Sequence, residues 1–225
     1  MEINQESKKL LPLLQEKLDA GTWPMLYYSK ELQQFKEMKQ RWLCLAAGKY
    51  GLRSIQVEEQ FTNWLCSLDL RVSAVESVYR SSGYRSPDIA GIILTRENLI
   101  SQVNKLNFKQ LFKYKSSPVR KVEMPKNKKG EWRSLGILTI DDRVMQTLFV
   151  QLLDPIVESC SDEFSYGFRK GRNAHQVIGD IANNLRLKPS LKRKKKDGQR
   201  RYFSHTKYIL SLDIKEVFAS VSHRW

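Results

Sequence analysis

The run Tyr208-Ile209-Leu210-Ser211-Leu212 leads directly into Asp213. An apolar stretch of that length predicts a buried strand. A carboxylate at its C-terminal end is a hard oxygen ligand able to hold Mg²⁺. The same pattern arises when an Asp merely caps a strand, so its meaning depends on its company. Two cationic segments precede it. Residues 117–125 (SPVRKVEMP) read as a strand bounded by prolines, Asn127–Gly130 as a turn and Arg133–Leu138 as the partner strand. That basic hairpin carries Arg120, Lys121, Lys126, Lys128, Lys129 and Arg133. Residues 165–175 (SYGFRKGRNAH) form a loop dense in Gly and Arg. Its glycines permit close backbone approach to a ligand, and Arg169 and Arg172 suit phosphate.

The elements that must hold these groups follow from apolar periodicity. Leu32, Phe35, Met38, Trp42 and Leu45 recur at three- and four-residue spacing over 29–48, an amphipathic helix stopped by Gly48 and Gly51. Phe61, Trp64, Leu65, Leu68, Val72, Val75 and Tyr79 form a second stripe over 55–80. Both stripes read as packing surfaces. After Ser81-Ser82-Gly83 and Pro87 a short helix is expected from about Thr95 to Leu106. Asp141 and Asp142, ahead of Val144, Leu148, Leu152 and Ile156, predict a capped helix ending near Pro155. Asn173 to Leu185 predicts another, with Gln176 placed to cap it. Residues 188–201 (KPSLKRKKKDGQRR) are nearly free of apolar side chains and read as a loop or a disordered insertion, in which a solvated linker and a contact to RNA through Lys194 and Lys195 can coexist.

Charge narrows the partners. Residues 1–100 carry 13 Lys/Arg against 12 Asp/Glu, and residues 101–225 carry 26 against 12, so nearly all of the net +15 lies in the later part. A field of that sign attracts nucleic acid or an anionic membrane surface. The cations have no long apolar face beside them, which disfavours the membrane surface. Cys44, Cys66 and Cys160 lack metal-ligand spacing, and His175, His205 and His223 are widely spaced, so no zinc site is expected and the thiols read as reduced. No run of about 18 apolar residues exists to span a bilayer. The first residues (MEINQESKKL) lack the apolar core of a secretory signal, and Glu2 and Glu6 argue against an import peptide. The expectation is therefore a protein that works where it is made.

Taken in order, VEMPKNKKGEWRSLGILTIDDRVMQ, SYGFRKGRNAH and YILSLDIKEVFASVSH resemble the group II intron reverse transcriptase and maturase family. The match rests on Pro125, Lys126, Gly130, Arg133, Leu135-Gly136-Ile137, Asp142-Arg143, Ser165–Arg169, Gly171-Arg172, Ala174-His175, Asp213-Ile214-Lys215, Phe218 and His223. It covers about residue 60 to the end. The chain departs from the family where Ser134, Leu138 and Lys170 stand in place of prolines, where Ala90, Ala219 and Ser222 stand in place of acids, and where Glu216-Val217 replaces a Gly-aromatic pair.

The resemblance implies an α+β fold: a helical N-terminal extension over 1–60, then the fingers and incomplete palm of a right-hand polymerase over 61–225, with a basic insertion at 188–201. Asp213 is implied to be the catalytic metal ligand. Lys126 and Arg133 are implied to meet the incoming nucleotide's triphosphate, although phosphates of bound RNA suit them equally. Phe218 is implied to be the gate against a ribose 2′-OH. Arg120, Lys121, Lys128, Lys129, Arg143, Arg169, Arg172, Lys194 and Lys195 are expected to contact RNA. Phosphoryl transfer depends on positioning and on cations that offset phosphate charge, which agrees with these roles. Family members continue to a Tyr-Ala-Asp-Asp turn, whereas these residues end at Trp225. One Asp does not position two Mg²⁺ ions, so no polymerisation by this chain alone is expected and Mg²⁺ enters only if the site is completed. The functional expectation is a maturase-like protein that binds intron RNA and assists its splicing. The alternatives are part of an active reverse transcriptase completed by a C-terminal polypeptide, or a degenerate remnant. An organellar setting is expected, chloroplast ahead of mitochondrion, with the bacterial cytoplasm behind both.

Overall fold

The computed structural model of the chain describes residues 2–23, 30–106, 113–125, 130, 132–185, 188–194, 200–203 and 210–214. The chain divides into two compact units, Met1–Ser161 and Asp162–Trp225. Among the described residues helices dominate, with two separate two-stranded antiparallel sheets, so the architecture is α+β.

The first unit is built from α1 (Glu2–Asp19), α2 (Lys30–Tyr50), α3 (Ile55–Leu65), α4 (Leu68–Arg80), a 3₁₀ turn (Arg96–Asn98) running into α5 (Leu99–Lys105), β1 (Arg120–Pro125), β2 (Trp132–Ile137) and α6 (Ile140–Glu158). Helix α1 ends in a Schellman turn: Gly21 takes φ 70°, its N–H donates to Leu18 O, and Thr22 N–H donates to Lys17 O. The core centres on α6, which packs most extensively against α4 and α2. Its face of Ile140, Val144, Met145, Leu148, Leu152 and Ile156 is buried against Leu43 and Ala47 of α2 and Leu70, Val72, Val75 and Val78 of α4, within one apolar cluster. Leu14, Leu18 and Val57 belong to the same cluster, so helices of residues 1–60 share the core of those that follow, and the unit boundary falls at Ser161.

Two features depart from the stripes expected above. In α2 the buried positions are Phe35, Lys39, Leu43, Ala46 and Ala47, whereas Leu45 is 64% exposed. A lysine enters the core because its partner waits there. Lys39 Nζ lies 2.8 Å from both carboxylate oxygens of Asp69 and 3.2 Å from Ser67 Oγ, beside the rings of Phe35 and Trp64. Burial pushes the Lys39 ammonium below its ordinary pKa, and Asp69 opposes that shift. The stripe over 55–80 is real but not one helix. Ser67 sits in extended conformation at the start of α4 and turns its hydroxyl onto Trp64 O, ending α3.

Helix α6 runs past Pro155 to Glu158, one turn further than expected. Proline has no N–H for the carbonyl four residues back. That carbonyl, Gln151 O, accepts instead from Gln40 Nε2 at 2.8 Å, so the helix continues and is stitched to α2.

The second unit contains α7 (Ala174–Leu185) and a hairpin of β3 (Lys188–Lys194) and β4 (Arg200–Phe203). The hairpin corrects the expected loop at 188–201. Backbone pairing needs no apolar side chains, and Asp197-Gly198 is itself a hairpin signal that the charge run obscured. Its register pairs Lys188 with Phe203, Pro189 with Tyr202 and Lys194 with Arg200, with an irregularity between the last two pairs.

Candidate nucleic-acid interface

Strands β1 and β2 pair in the register Arg120–Ile137, Val122–Leu135 and Met124–Arg133 on one face, and Lys121–Gly136, Glu123–Ser134 and Pro125–Trp132 on the other. Direct partners in an antiparallel ladder share a face, so the hairpin's cations are divided. Arg120 is half-buried, with its Nε enclosed and unpaired. Arg133 is exposed at the far end of the same face. Lys121 lies on the opposite face, where its ammonium is 2.6 Å from Glu123 and Ser134 Oγ donates to that same carboxylate at 2.9 Å. Those two hydrogen bonds hold the Glu123 carboxyl below its ordinary pKa. Lys126, Lys128 and Lys129 lie outside the described residues.

The hairpin springs from the N-terminus of α6, which is fixed by side chains. Thr139 is the N-cap and accepts from Asp142 N–H at 3.2 Å, while its hydroxyl donates to the Asp142 carboxylate at 2.6 Å. That carboxylate also accepts from Tyr114 Oη at 2.8 Å and from Ser117 N–H at 3.2 Å, tying the approach to β1 onto the helix. Burial, together with Asp142, raises the Tyr114 phenol far above its ordinary pKa and keeps it a donor.

Arg143 also has a scaffold role that the sequence did not announce. Its Nε donates to Leu138 O at 2.9 Å, and its terminal nitrogens donate to Gly83 O and Ser86 O, each at 3.0 Å. All three nitrogens serve backbone carbonyls, so this side chain joins the loop after α4 to the root of the hairpin. The acceptors lie 57 and 60 residues away in sequence, where no local pattern could announce them.

In the second unit the loop 162–173 is organised by its own polar groups. Asp162 Oδ1 accepts from Phe164 N–H at 2.8 Å, and Arg169 donates to the carbonyls of Asp162 and Ser165. Arg172 sits over the Tyr166 ring, 5.5 Å from its centroid, and Tyr166 Oη donates to Asp180 on α7. The predicted cap of α7 is present. Gln176 N–H donates to Asn173 Oδ1 at 3.0 Å, and Asn173 N–H donates to Gln176 Oε1 at 2.9 Å. Arg169 and Arg172 are thus brought together on one loop. Between them and Gly167, Phe168 adopts φ 57° with its side chain fully exposed. A left-handed conformation costs a residue with a Cβ about 1–2 kcal/mol, and no feature of the sequence signals it.

Asp213 lies in the segment 210–214, which is irregular and exposed, with Leu210 at 80% and Leu212 at 81% exposure. The expected buried strand is therefore not found there. A lone strand leaves its backbone groups unpaired, and among the described residues no neighbouring strand pairs with this segment. Lys195 and Phe218 fall outside the described residues, and Lys194 is placed only by its register opposite Arg200. Among the described residues no three His, Cys, Asp or Glu side chains converge as a metal site. Mg²⁺ is ordinarily held by one or two carboxylates together with waters and substrate phosphates, and the Asp213 carboxylate is exposed and open to such partners. No helix among the described residues is long and apolar enough to cross a membrane.

Residues 124–225 match the reverse transcriptase (RNA-dependent DNA polymerase) family. Protein YkfC of Escherichia coli is 28% identical over 193 residues, covering 84% of this chain and 45% of that protein. The COX1/OXI3 intron 1 protein of Saccharomyces cerevisiae is 26% identical over 171 residues, covering 74% of this chain and 18% of its own length. The group II intron-encoded protein LtrA of Lactococcus lactis is 24% identical over 173 residues, covering 74% of this chain and 25% of its own length. The chain spans less than half the length of each of these relatives.

Proposed function

We propose that this chain, a relative of the group II intron reverse transcriptases and maturases, binds intron RNA through its cationic later part and assists splicing of that RNA. The observation that supports the reading is a coincidence. The half of the sequence that carries 26 Lys/Arg against 12 Asp/Glu is the half in which the reverse transcriptase match falls. Within it, Arg133 is exposed on the β1–β2 hairpin, and Arg169 and Arg172 share the 162–173 loop. A guanidinium pairs with phosphate in two-pronged fashion, and the number of phosphates neutralised sets how steeply affinity falls with salt.

The test is RNA binding by the full chain, followed by fluorescence anisotropy on a group II intron RNA between about 50 and 200 mM salt. The logarithm of the affinity should fall linearly with the logarithm of salt, by about 0.7 per phosphate neutralised on single strands. Arg133→Gln should lower that slope by about one such increment. An affinity that does not change with salt overturns the reading. A second reading, supported by the polymerase family of the match, makes the chain part of an RNA-directed DNA polymerase in which Asp213 holds a metal and Lys126, Arg133 and Phe218 meet the nucleotide. Primer extension abolished by Asp213→Ala would favour it. The organellar setting, chloroplast or mitochondrion, belongs to the same proposal. The relatives come from two bacteria and a yeast and do not choose a compartment, so fractionation decides it.

A further inference from the structure

Beside the N-terminus of α6 lies a cavity of about 590 Å³, lined among the described residues by Gln102 and Lys105 of α5, Leu106, the segment Lys113-Tyr114-Lys115, and Asp141 and Met145 of α6. Its size is that of a small-molecule site. Its lining is ordered by depth. Leu106, Met145 and Gln102 are each more than nine-tenths buried, whereas Lys113 and Lys115 are exposed at its rim. Lys105 is paired with Asp141 at 3.3 Å, so those two charges offset each other and Lys113 and Lys115 leave the mouth positive. The Tyr114 ring is half-buried and held in place by the 2.8 Å bond from its hydroxyl to Asp142, which gives the cavity a fixed aromatic wall.

An apolar floor, an aromatic wall, one buried amide and an anion-binding rim together suit a flat heteroaromatic ring joined to a phosphate. A carboxamide offers both a donor and an acceptor to a base edge. We propose that this cavity binds a ribonucleotide, base inward against Leu106, Met145 and Tyr114 with its edge on Gln102, and phosphate outward on Lys113 and Lys115. The nucleotide is either free or an unpaired residue of an RNA strand. Only the second source rests on the RNA-binding function proposed above.

The experiment uses the full chain in two arms. In the first, equilibrium dialysis measures AMP, GMP, CMP and UMP, with ribose 5-phosphate as the probe lacking a base. In the second, an eight-nucleotide RNA carrying 4-thiouridine at one position is photocrosslinked and the attachment site is mapped. Nucleotides should bind more tightly than ribose 5-phosphate. Lys113→Gln with Lys115→Gln should weaken binding by about tenfold or more, and Gln102→Leu by about threefold to tenfold. These outcomes assign a free nucleotide. Crosslinking to residues 102–106 or 113–115 without mononucleotide binding, competed by the unmodified eight-nucleotide RNA but not by a fully abasic strand of the same length, assigns an RNA residue instead. Both lysines are exposed, so the double variant should keep the parent's circular dichroism and report on binding alone. Ribose 5-phosphate binding as tightly as AMP overturns the proposal. So does a lack of both mononucleotide binding and crosslinking at 102–106 or 113–115. If that happens while intron RNA affinity remains salt-dependent, the cavity proposal fails and RNA binding stands. A salt-independent RNA affinity with nucleotide binding intact does the opposite: the cavity stands and the intron RNA function fails.

Discussion

Arg143→Gln removes a guanidinium that donates to Leu138 O, Gly83 O and Ser86 O at 2.9, 3.0 and 3.0 Å. A hydrogen bond from a charged donor is worth about 1.5–3 kcal/mol when fully enclosed. Arg143 is half-buried, so water replaces part of each bond and about 1 kcal/mol apiece is the better figure, some 3 kcal/mol in all. In a chain of this size each kcal/mol moves the melting temperature by about 2–4 °C, so the variant should melt about 6–12 °C lower. Arg143→Lys should recover only part of the loss, because one ammonium does not span three carbonyls on two segments. Circular dichroism melts measure this directly, and RNA anisotropy at several salt concentrations, taken well below the transition, gives the second readout. A structural Arg143 predicts a lowered melting temperature with an unchanged salt slope. The opposite result, a melting temperature within about 1 °C of the parent and a slope reduced by about 0.7, would refute the assignment and restore Arg143 to the RNA surface.

Lys39→Met strands the Asp69 carboxylate, itself 4% exposed, and should cost about 3–5 kcal/mol in urea unfolding, whereas Lys39→Met with Asp69→Leu should recover most of it. Equal losses in both variants would mean that packing rather than charge is at stake. Gln176→Ala removes one half of the reciprocal cap and should speed amide exchange in the first turn of α7, a local loss of about 0.5–2 kcal/mol. Unchanged exchange there would contradict the cap. The Glu123 carboxyl should titrate below an ordinary glutamate by NMR, and Lys121→Gln should move it back up. Because that pKa is depressed, the pairing contributes above the unfolded-state value and is lost as pH falls through the folded one. A Glu123 titration indifferent to Lys121 would show that the exposed pair is not formed in solution.

Local signals carried much of this fold into the sequence. The β1–β2 hairpin, the α6 stripe and the Asn173/Gln176 cap each depend on residues within a few positions of one another, and each is found close to where it was expected. What stayed hidden depends on partners far along the chain. Lys39 looks like a surface residue until Asp69, 30 residues later, is beside it. Gln40 shows no role until Pro155 leaves the Gln151 carbonyl without its helical donor. Arg143 fits an RNA-contact pattern and a scaffold tie equally well until Gly83 and Ser86 are seen. For the site, candidates could be named and their arrangement could not. Sequence named Arg133, Arg169 and Arg172, but could not say that strand register divides the hairpin's cations between two faces, or that Tyr166 lies under Arg172. The cavity beside α6 could not be read in advance because its lining comes from three separate stretches of the chain.

The bare ring of Phe168 has a practical consequence. A side chain that is fully in solvent, on a loop whose carbonyls are held by Arg169, can be exchanged for another aromatic without disturbing packing. A tryptophan installed there would act as an optical reporter on the arginine loop, its emission shifting when an added polymer covers the indole. The backbone twist beneath it needs no further adjustment, since the strain is the same for either ring.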